Sequence, residues 1–249
     1  MRAMTRIATH GSVVVVAHGT RDPAGVAVAR RLVGALGARL PGRSVLLAFA
    51  DVLVPGVVLG PGVVLGPGVR EALADAPGPV TVVPAFLSSG YHVRTDVPSQ
   101  VAATGRRDVT VSTALGPHPL LVDAMADRLR AAGWRRGDAV VLAAAGSSDP
   151  RAVADVRAAA RQLSDKLATR VRVGFVATGA PRVAPLVAGL RAAGESRVVV
   201  ASWLLAPGLF QRSLASVGAD VVAAPLGAHP GVIDRLAQLT ETCAVLCSA

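Results

Sequence analysis

Short apolar runs alternate along the chain with longer stretches of helical period. Runs such as VVVV (13–16) and VVV (198–200) show no polar residue at every second position. Continuous runs of that kind mark strands buried on both faces of a parallel sheet. Strands are therefore expected near 13–17, 44–50, 80–85 and 109–113, then 138–143, 171–176, 197–201 and 220–224. Between them, Ala/Leu/Arg segments with apolar positions three and four apart predict helices near 23–39, 69–76, 95–104 and 118–132, then 150–168, 182–193, 209–217 and 229–246. The order βαβαβαβα occurs twice. The expected fold class is α/β: two similar doubly wound lobes, each a four-stranded, mainly parallel sheet flanked by helices.

The halves also repeat in their letters. VVVVAHGTRDP (13–23) returns as VVLAAAGSSDP (140–150), and LGPHPLLVDAMADRL (115–129) returns as LGAHPGVIDRLAQL (226–239). PAFLSSGYHVRTD (84–96) loosely matches SWLLAPGLFQRSL (202–214). A repeat of this size implies duplication and a division into 1–133 and 134–249, joined near Gly133–Gly137. A smaller repeat, VLVPGV-VLGPGV-VLGPGV, runs from Val52 to Val69. Phe49 to Pro55 has the same spacing as Phe175 to Pro181, so two hexads read as a loop insertion. Slipped duplication is its simplest origin, although a Pro/Gly loop directly after Asp51 also suits a flap.

Comparing the halves separates scaffold from chemistry. Asp22-Pro23 and Asp149-Pro150 persist in both and read as an N-cap followed by proline in the first turn. Gly19 and Gly146 suit the tight strand-to-helix turn. His18, Asp51 and His92 do not persist: their counterparts are Ala145, Ala177 and Phe210. Each of the three follows a strand, and in an open parallel sheet the carboxyl ends of the strands share one ligand-binding edge. Two imidazoles and a carboxylate suit Fe²⁺, Co²⁺, Ni²⁺ or Zn²⁺. Singly, each residue has an ordinary structural explanation; their shared position and shared loss favour a metal. His10-Gly11-Ser12 imitates the motif without a preceding strand, and His118 and His229 occupy one place in both halves, which points to a cap or packing role.

Composition narrows the partners. Of 249 residues, 52% are hydrophobic and 17% charged, as in a folded globular protein. The net charge of +10 comes from 25 Arg and one Lys against 16 acids. A polyanionic partner is one explanation and the coding bias of a GC-rich genome the other; the bias accounts for most of these arginines, while those beside the site keep the functional reading. No dense basic run with interleaved aromatics occurs, so no nucleic acid partner is expected. Cys243 and Cys247 make no disulfide framework and fit a reducing compartment. Their spacing puts both on one helix face, where they form either a metal-binding pair or a plain apolar helix end. The N-terminal MRAMTRIATHGS lacks the features of a secretory leader. The apolar stretch Val45–Val69 is broken by Asp51, Pro55, Pro61 and Pro67, so no membrane span is expected.

VVVVAHGTRDPAG, AFADVLVP and PAFLSSGYHVRTDVP together resemble the sirohydrochlorin chelatases of the CbiX/SirB type, class II chelatases, in their long form with two homologous halves. The resemblance covers nearly the whole chain, and HG[ST]RDP followed by PxFLxxGxHVxxD is more specific as a pair than either part alone. It implies an enzyme that inserts Co²⁺ or Fe²⁺ into sirohydrochlorin, a tetrapyrrole polycarboxylate held in the cleft between the lobes, on the way to cobalamin or sirohaem. The metal ion is then a substrate, and no permanently bound cofactor is expected. The family's two histidines fall on His18 and His92, as catalytic and metal-binding residues, and its acidic ligand, commonly Glu, falls on Asp51. Arg21 and Arg94 are candidates to bind substrate carboxylates, with a helix-end acid as the alternative partner for Arg21. A cytoplasmic monomer is expected, the duplicated chain replacing a homodimer. Two rivals remain at this point: a histidine phosphatase, in which Arg rather than Ala17 would precede the His-Gly pair, and a non-catalytic metal or tetrapyrrole carrier.

Overall fold

A computed structural model describes residues 11–51 and 66–246, with side chains as far as Cys243. His10, most of the hexad repeat with its suggested flap, and Cys247 lie outside the described residues. The first lobe runs β1 (Ser12–Ala17), α1 (Pro23–Arg39), β2 (Val45–Phe49), α2 (Val69–Asp75), β3 (Val80–Pro84), a π-helical turn (His92–Asp96), α3 (Val97–Ala102), β4 (Val109–Val111) and α4 (Pro119–Ala131). The second runs β5 (Ala139–Gly146), α5 (Pro150–Leu167), β6 (Val171–Thr178), α6 (Val183–Ala192), β7 (Val198–Trp203), α7 (Leu209–Ser213) with a 3₁₀ turn (Leu214–Ser216), β8 (Val221–Val222) and α8 (Pro230–Leu246).

Both sheets have four strands in the same order, β2-β1-β3-β4 and β6-β5-β7-β8, and every pairing is parallel. The strand order reverses at β1, which puts the topological switch point at the carboxyl ends of β1 and β3. Side chains alternate between two apolar layers. Val13, Val15 and Val83 face a core shared with the second lobe, whereas Val14, Val16 and Val82 pack with Leu73 of α2 and Val97 of α3. In the second sheet Val140 and Leu142 face the shared core, and Val141, Val198 and Val200 meet Val183 and Val187 of α6. Burial of each such side chain favours folding by about 1.5–3 kcal/mol, which explains why apolar runs without alternation form the strands.

The lobes exchange helices. α4 packs on β7 of the second sheet, α8 packs on β3 of the first, and the two helices pack on each other. Each is pinned by an arginine to the equivalent carbonyl of the opposite lobe: Arg128 Nη2 donates to Leu226 O and Arg235 Nε to Leu115 O, both at 2.9 Å. The arginines themselves sit at non-equivalent positions. A Cβ on Gly231 would lie 2.5 Å from Leu120 O, so only glycine allows α8 to approach α4 this closely.

Helix starts follow the expected chemistry. Asp22 and Asp149 cap α1 and α5 by accepting from Ala24 N and Arg151 N. His118 and His229 do the same for α4 and α8, their Nδ1 atoms accepting from Leu120 N and Gly231 N at 3.3 and 3.2 Å. Burial, with the Arg235 charge as a second cause, holds the His118 pKa below its ordinary value, which favours the neutral ring that capping requires.

Four expectations need correction. Helical structure begins at His92, not near 95, because a π-helical turn precedes Val97; the Val97 N–H reaches back to His92 O, and Pro98 has no N–H to continue an α pattern. The helix expected over 209–217 ends at Ser213 and tightens to 3₁₀. β5 and β6 extend to Gly146 and Thr178, because a bulge in β6, where Val176 and Ala177 stand opposite Ala145, lets Gly146, at φ +99°, pair with Thr178. The counterpart of Pro181 is Pro67, not Pro55: Phe49 N donates to Pro67 O at 3.0 Å as Phe175 N does to Pro181 O at 2.9 Å. The two extra hexads therefore fall between Phe49 and Pro67. No helix among the described residues is long and apolar enough to cross a membrane.

Candidate metal centre

Three chain segments leave the first sheet at its carboxyl edge. The β1/β2 ladder closes with Ala50 N donating to Ala17 O at 2.9 Å, so the residues that follow leave side by side. Gly19 then passes so close to Asp51 that a Cβ on it would lie 2.2 Å from the Asp51 carbonyl oxygen. A residue with a side chain would prise the two turns apart. The segment after β3 reaches the same edge through Ala85, whose N–H donates to Val16 O at 2.8 Å, and coils into the π turn that opens on His92.

This routing brings His18, Asp51 and His92 together. Asp51 Oδ2 lies 3.3 Å from His18 Nε2 and 3.9 Å from His92 Nε2, and one donor atom from each residue falls within 4.8 Å of the others. The imidazole centroids are 4.9 Å apart at 76°. Among the described residues no other group of three or more His, Cys, Asp or Glu donors is drawn together in this way. Each ring has its other nitrogen engaged. His18 Nδ1 is 2.9 Å from Gly19 O, and His92 Nδ1 is 2.9 Å from Asp96 Oδ2. A carbonyl or carboxylate oxygen only accepts, so both Nδ1 atoms carry a hydrogen, and both Nε2 atoms face Asp51. Bonds of about 2.1 Å hold two ligands of one ion no more than roughly 4.2 Å apart. The trio therefore needs only a small inward movement to share an ion.

Asp96, Gln100 and Phe86 were not singled out from the sequence. Asp96 Oδ1 accepts from Gln100 Nε2 at 2.9 Å, and the same nitrogen donates to Ala50 O at 3.0 Å. A continuous path thus runs from the His92 ring to the residue before Asp51. Carboxylate support of a ligating imidazole fixes its tautomer and direction. The available signal was His92, Asp96 and Gln100 at spacings of four on one helical face, which the eye reads as an ordinary polar stripe. Phe86 stacks on His92 at 5.3 Å and 19° and sits tilted beside His18 at 6.0 Å, walling one side of the centre.

Arg21 and Arg94 are exposed, and their side chains make no hydrogen bond or ion pair among the described residues. The helix-end acid considered for Arg21 is taken instead by Arg212 of the second lobe, which pairs with Asp22. Arg94 lines a cavity of about 280 Å³ with Ser89, Val93, Ser112, Thr113 and Ala114, so one arginine and three hydroxyl-bearing residues border one space. Cys243 is buried in α8 at 5% exposure. At the matching edge of the second sheet stand Ala145, Ala177 and Phe210, which offer no ligand atoms.

Comparison with known proteins agrees with this architecture. The CbiX family profile matches residues 12–132 and again 139–243. No curated protein sequence matches the chain. Among solved structures, SirB from Bacillus subtilis with Fe³⁺ superposes with a TM-score of 0.78 at 19% identity, covering 95% of this chain and 96% of that one. The sirohydrochlorin chelatase SirB from Bacillus subtilis subspecies spizizenii in complex with cobalt gives 0.74 at 18% identity, over 94% and 95%. CbiX, described as the terminal enzyme for biosynthesis of siroheme in denitrifying bacteria, gives 0.62 at 20% identity, over 93% and 98%. At these identities the structural likeness is one of fold.

Proposed function

The chain belongs to the CbiX family, and from that premise we propose that it inserts a divalent metal ion, Co²⁺ or Fe²⁺, into sirohydrochlorin in cobalamin or sirohaem biosynthesis. The observation that carries this reading is the convergence of His18, Asp51 and His92 at the switch point of a single lobe. The SirB structures with Fe³⁺ and with cobalt support a metal as the species handled. In this reading the first half, 1–133, carries the metal site and the second half, 134–249, completes the cleft. The enzyme acts as a cytoplasmic monomer, and sirohydrochlorin and the ion are its two substrates.

Metal insertion asks for weak, directional binding and for somewhere to put protons. Three donors on a half-open edge leave the ion's remaining positions to water and then to the macrocycle nitrogens. His18 is exposed, and Asp51 and His92 are partly so, which leaves the ion a path outward. Sirohydrochlorin loses two pyrrole N–H protons as M²⁺ enters, giving the metallated ring and two H⁺. An Nε2 atom that releases the ion regains a free lone pair and can accept one of those protons, and Asp51 Oδ2 lies close enough to take or relay the other. Asp51 also neutralises part of the ion's charge before transfer. Arg94, beside its cavity, suits a substrate carboxylate; Arg21, exposed three residues after His18, is a candidate for another.

The test is anaerobic incubation with sirohydrochlorin and Co²⁺ or Fe²⁺, followed by the visible spectrum. Metallated product is expected above the spontaneous rate, and His18→Ala or His92→Ala should return the rate to background. Binding of both substrates without turnover would make the protein a carrier and refute the proposal.

A further inference from the structure

Tyr91, Leu209 and Phe210 are the large hydrophobic side chains left exposed among the described residues, at 63%, 71% and 40%. Scattered singly, exposed apolar residues need no explanation. These three are not scattered. They stand in corresponding turns of the two halves, Gly90-Tyr91-His92 and Gly208-Leu209-Phe210, in a chain with only 3% aromatic residues.

Each turn leans on the opposite lobe. Ser89 N donates to Asp155 Oδ2 at 2.8 Å, and a Cβ on Gly90 would lie 3.6 Å from Ala152 Cβ and 3.8 Å from Ser147 Oγ. Reciprocally, a Cβ on Gly208 would lie 3.9 Å from Thr20 Oγ1, and one on Gly25 3.1 Å from Pro207 O. Arg212 ties α7 to the Asp22 cap of α1. Leu209 and Phe210 are thus held beside the loop that carries His18, while the Tyr91 ring lies 5.8 Å from the His92 ring at 70°. Tyr91 thus adjoins the metal centre from the first lobe, and Leu209 and Phe210 approach from the second lobe the loop that follows His18.

We infer that Tyr91, Leu209 and Phe210 form an apolar clasp for the faces of a flat macrocycle, presenting its nitrogens to the His18–Asp51–His92 trio. The inference rests on the function proposed above and adds where the ring faces bind. A tetrapyrrole polycarboxylate has an apolar body and a charged rim. Exposed cations such as Arg94 serve the rim, whereas the faces need wide apolar partners, and Phe86, already stacked on His92, supplies only one wall of this edge. The halves then diverge for a reason: Phe210 occupies the place of His92, so the lobe without a ligand supplies contact area at the same position.

The clasp is tested by measuring the affinity of metal-free sirohydrochlorin, from its fluorescence, for the whole protein, for Tyr91→Ala and for the double variant Leu209→Ala/Phe210→Ala. Because these side chains are exposed, their removal leaves folding intact, which the melting curve checks. Tenfold or greater weakening is expected for the double variant with its Co²⁺ affinity unchanged, and Tyr91→Phe should bind as the parent does. Parent-like sirohydrochlorin affinity in both alanine variants overturns the clasp alone. A parent protein that binds Co²⁺ but no sirohydrochlorin overturns the proposed function and the clasp with it.

Discussion

Replacing Asp96 by alanine should weaken the metal site without touching a ligand. The carboxylate holds the His92 Nδ1–H at 2.9 Å, and the two side chains are only 21% and 27% exposed, so water replaces the lost partner poorly. A hydrogen bond to a charged group contributes about 1.5–3 kcal/mol. At about 1.4 kcal/mol per tenfold, that corresponds to Co²⁺ binding roughly 10–100-fold weaker, the range found for carboxylates that orient ligating histidines. Asp96→Asn keeps an oxygen for the Nδ1–H and should recover part of the loss. The assay is anaerobic calorimetric titration with Co²⁺, with the visible d–d absorption of bound Co²⁺ recorded for each variant. A merely structural role would lower the melting temperature and leave the affinity and spectrum of the folded fraction alone. Parent-like Co²⁺ affinity in Asp96→Ala, or an Asp96→Asn variant as weak as alanine, would refute the reasoning.

Other substitutions probe the surroundings. In Gly19→Ala the new methyl meets the Asp51 carbonyl oxygen at 2.2 Å, so the turns must separate; a loss of about 1–3 kcal/mol in urea denaturation and a drop of roughly 100-fold in insertion rate are expected. Arg94→Ala should leave stability within about 0.5 kcal/mol of the parent, since the guanidinium has no partner among the described residues, while raising the KM for sirohydrochlorin about tenfold and flattening its salt dependence. His118 titrates below its ordinary value in the folded chain, chiefly through burial, so the unfolded chain binds its proton first on acidification. Its contribution is complete above about pH 6.5 and is lost as the pH falls through the lowered folded value. His118→Asn should cap α4 at both pH values and show a smaller fall in urea midpoint between pH 7.5 and pH 5.

The fold was largely legible because each strand is a short apolar run and the four longest helices, α1, α4, α5 and α8, begin with a recognisable cap. Asp22-Pro23 and Asp149-Pro150 fix two starts to the residue. Duplication made His18, Asp51 and His92 visible as candidate ligands: a half that keeps glycine and Asp-Pro but exchanges His18 for Ala145 points at what the scaffold does not require. Features without a local signature were hidden. The π turn at His92 depends on how the chain leaves β3, and the reach of Asp96 and Gln100 back to Ala50 exists only once that turn has formed. The bulge in β6 opposite Ala145 depends on Thr178 pairing with Gly146 of the neighbouring strand. The exchange of α4 and α8 between sheets is equally non-local, since two amphipathic helices of similar pattern give no sign of which sheet each covers. Pro67 rather than Pro55 meets Phe49 because three identical Pro-Gly steps offer equal sequence matches, and only the bridge to Gly68 chooses among them.

The central claim is that one lobe gathers His18, Asp51 and His92 around a single ion and the other offers none. A crystal of the protein soaked anaerobically with Co²⁺, measured at the cobalt absorption edge, addresses it directly. The anomalous peak should stand between His18 Nε2, His92 Nε2 and Asp51 Oδ2. A peak beside Ala145 in the second lobe, or at Cys243 of α8, with none at the trio, would contradict it.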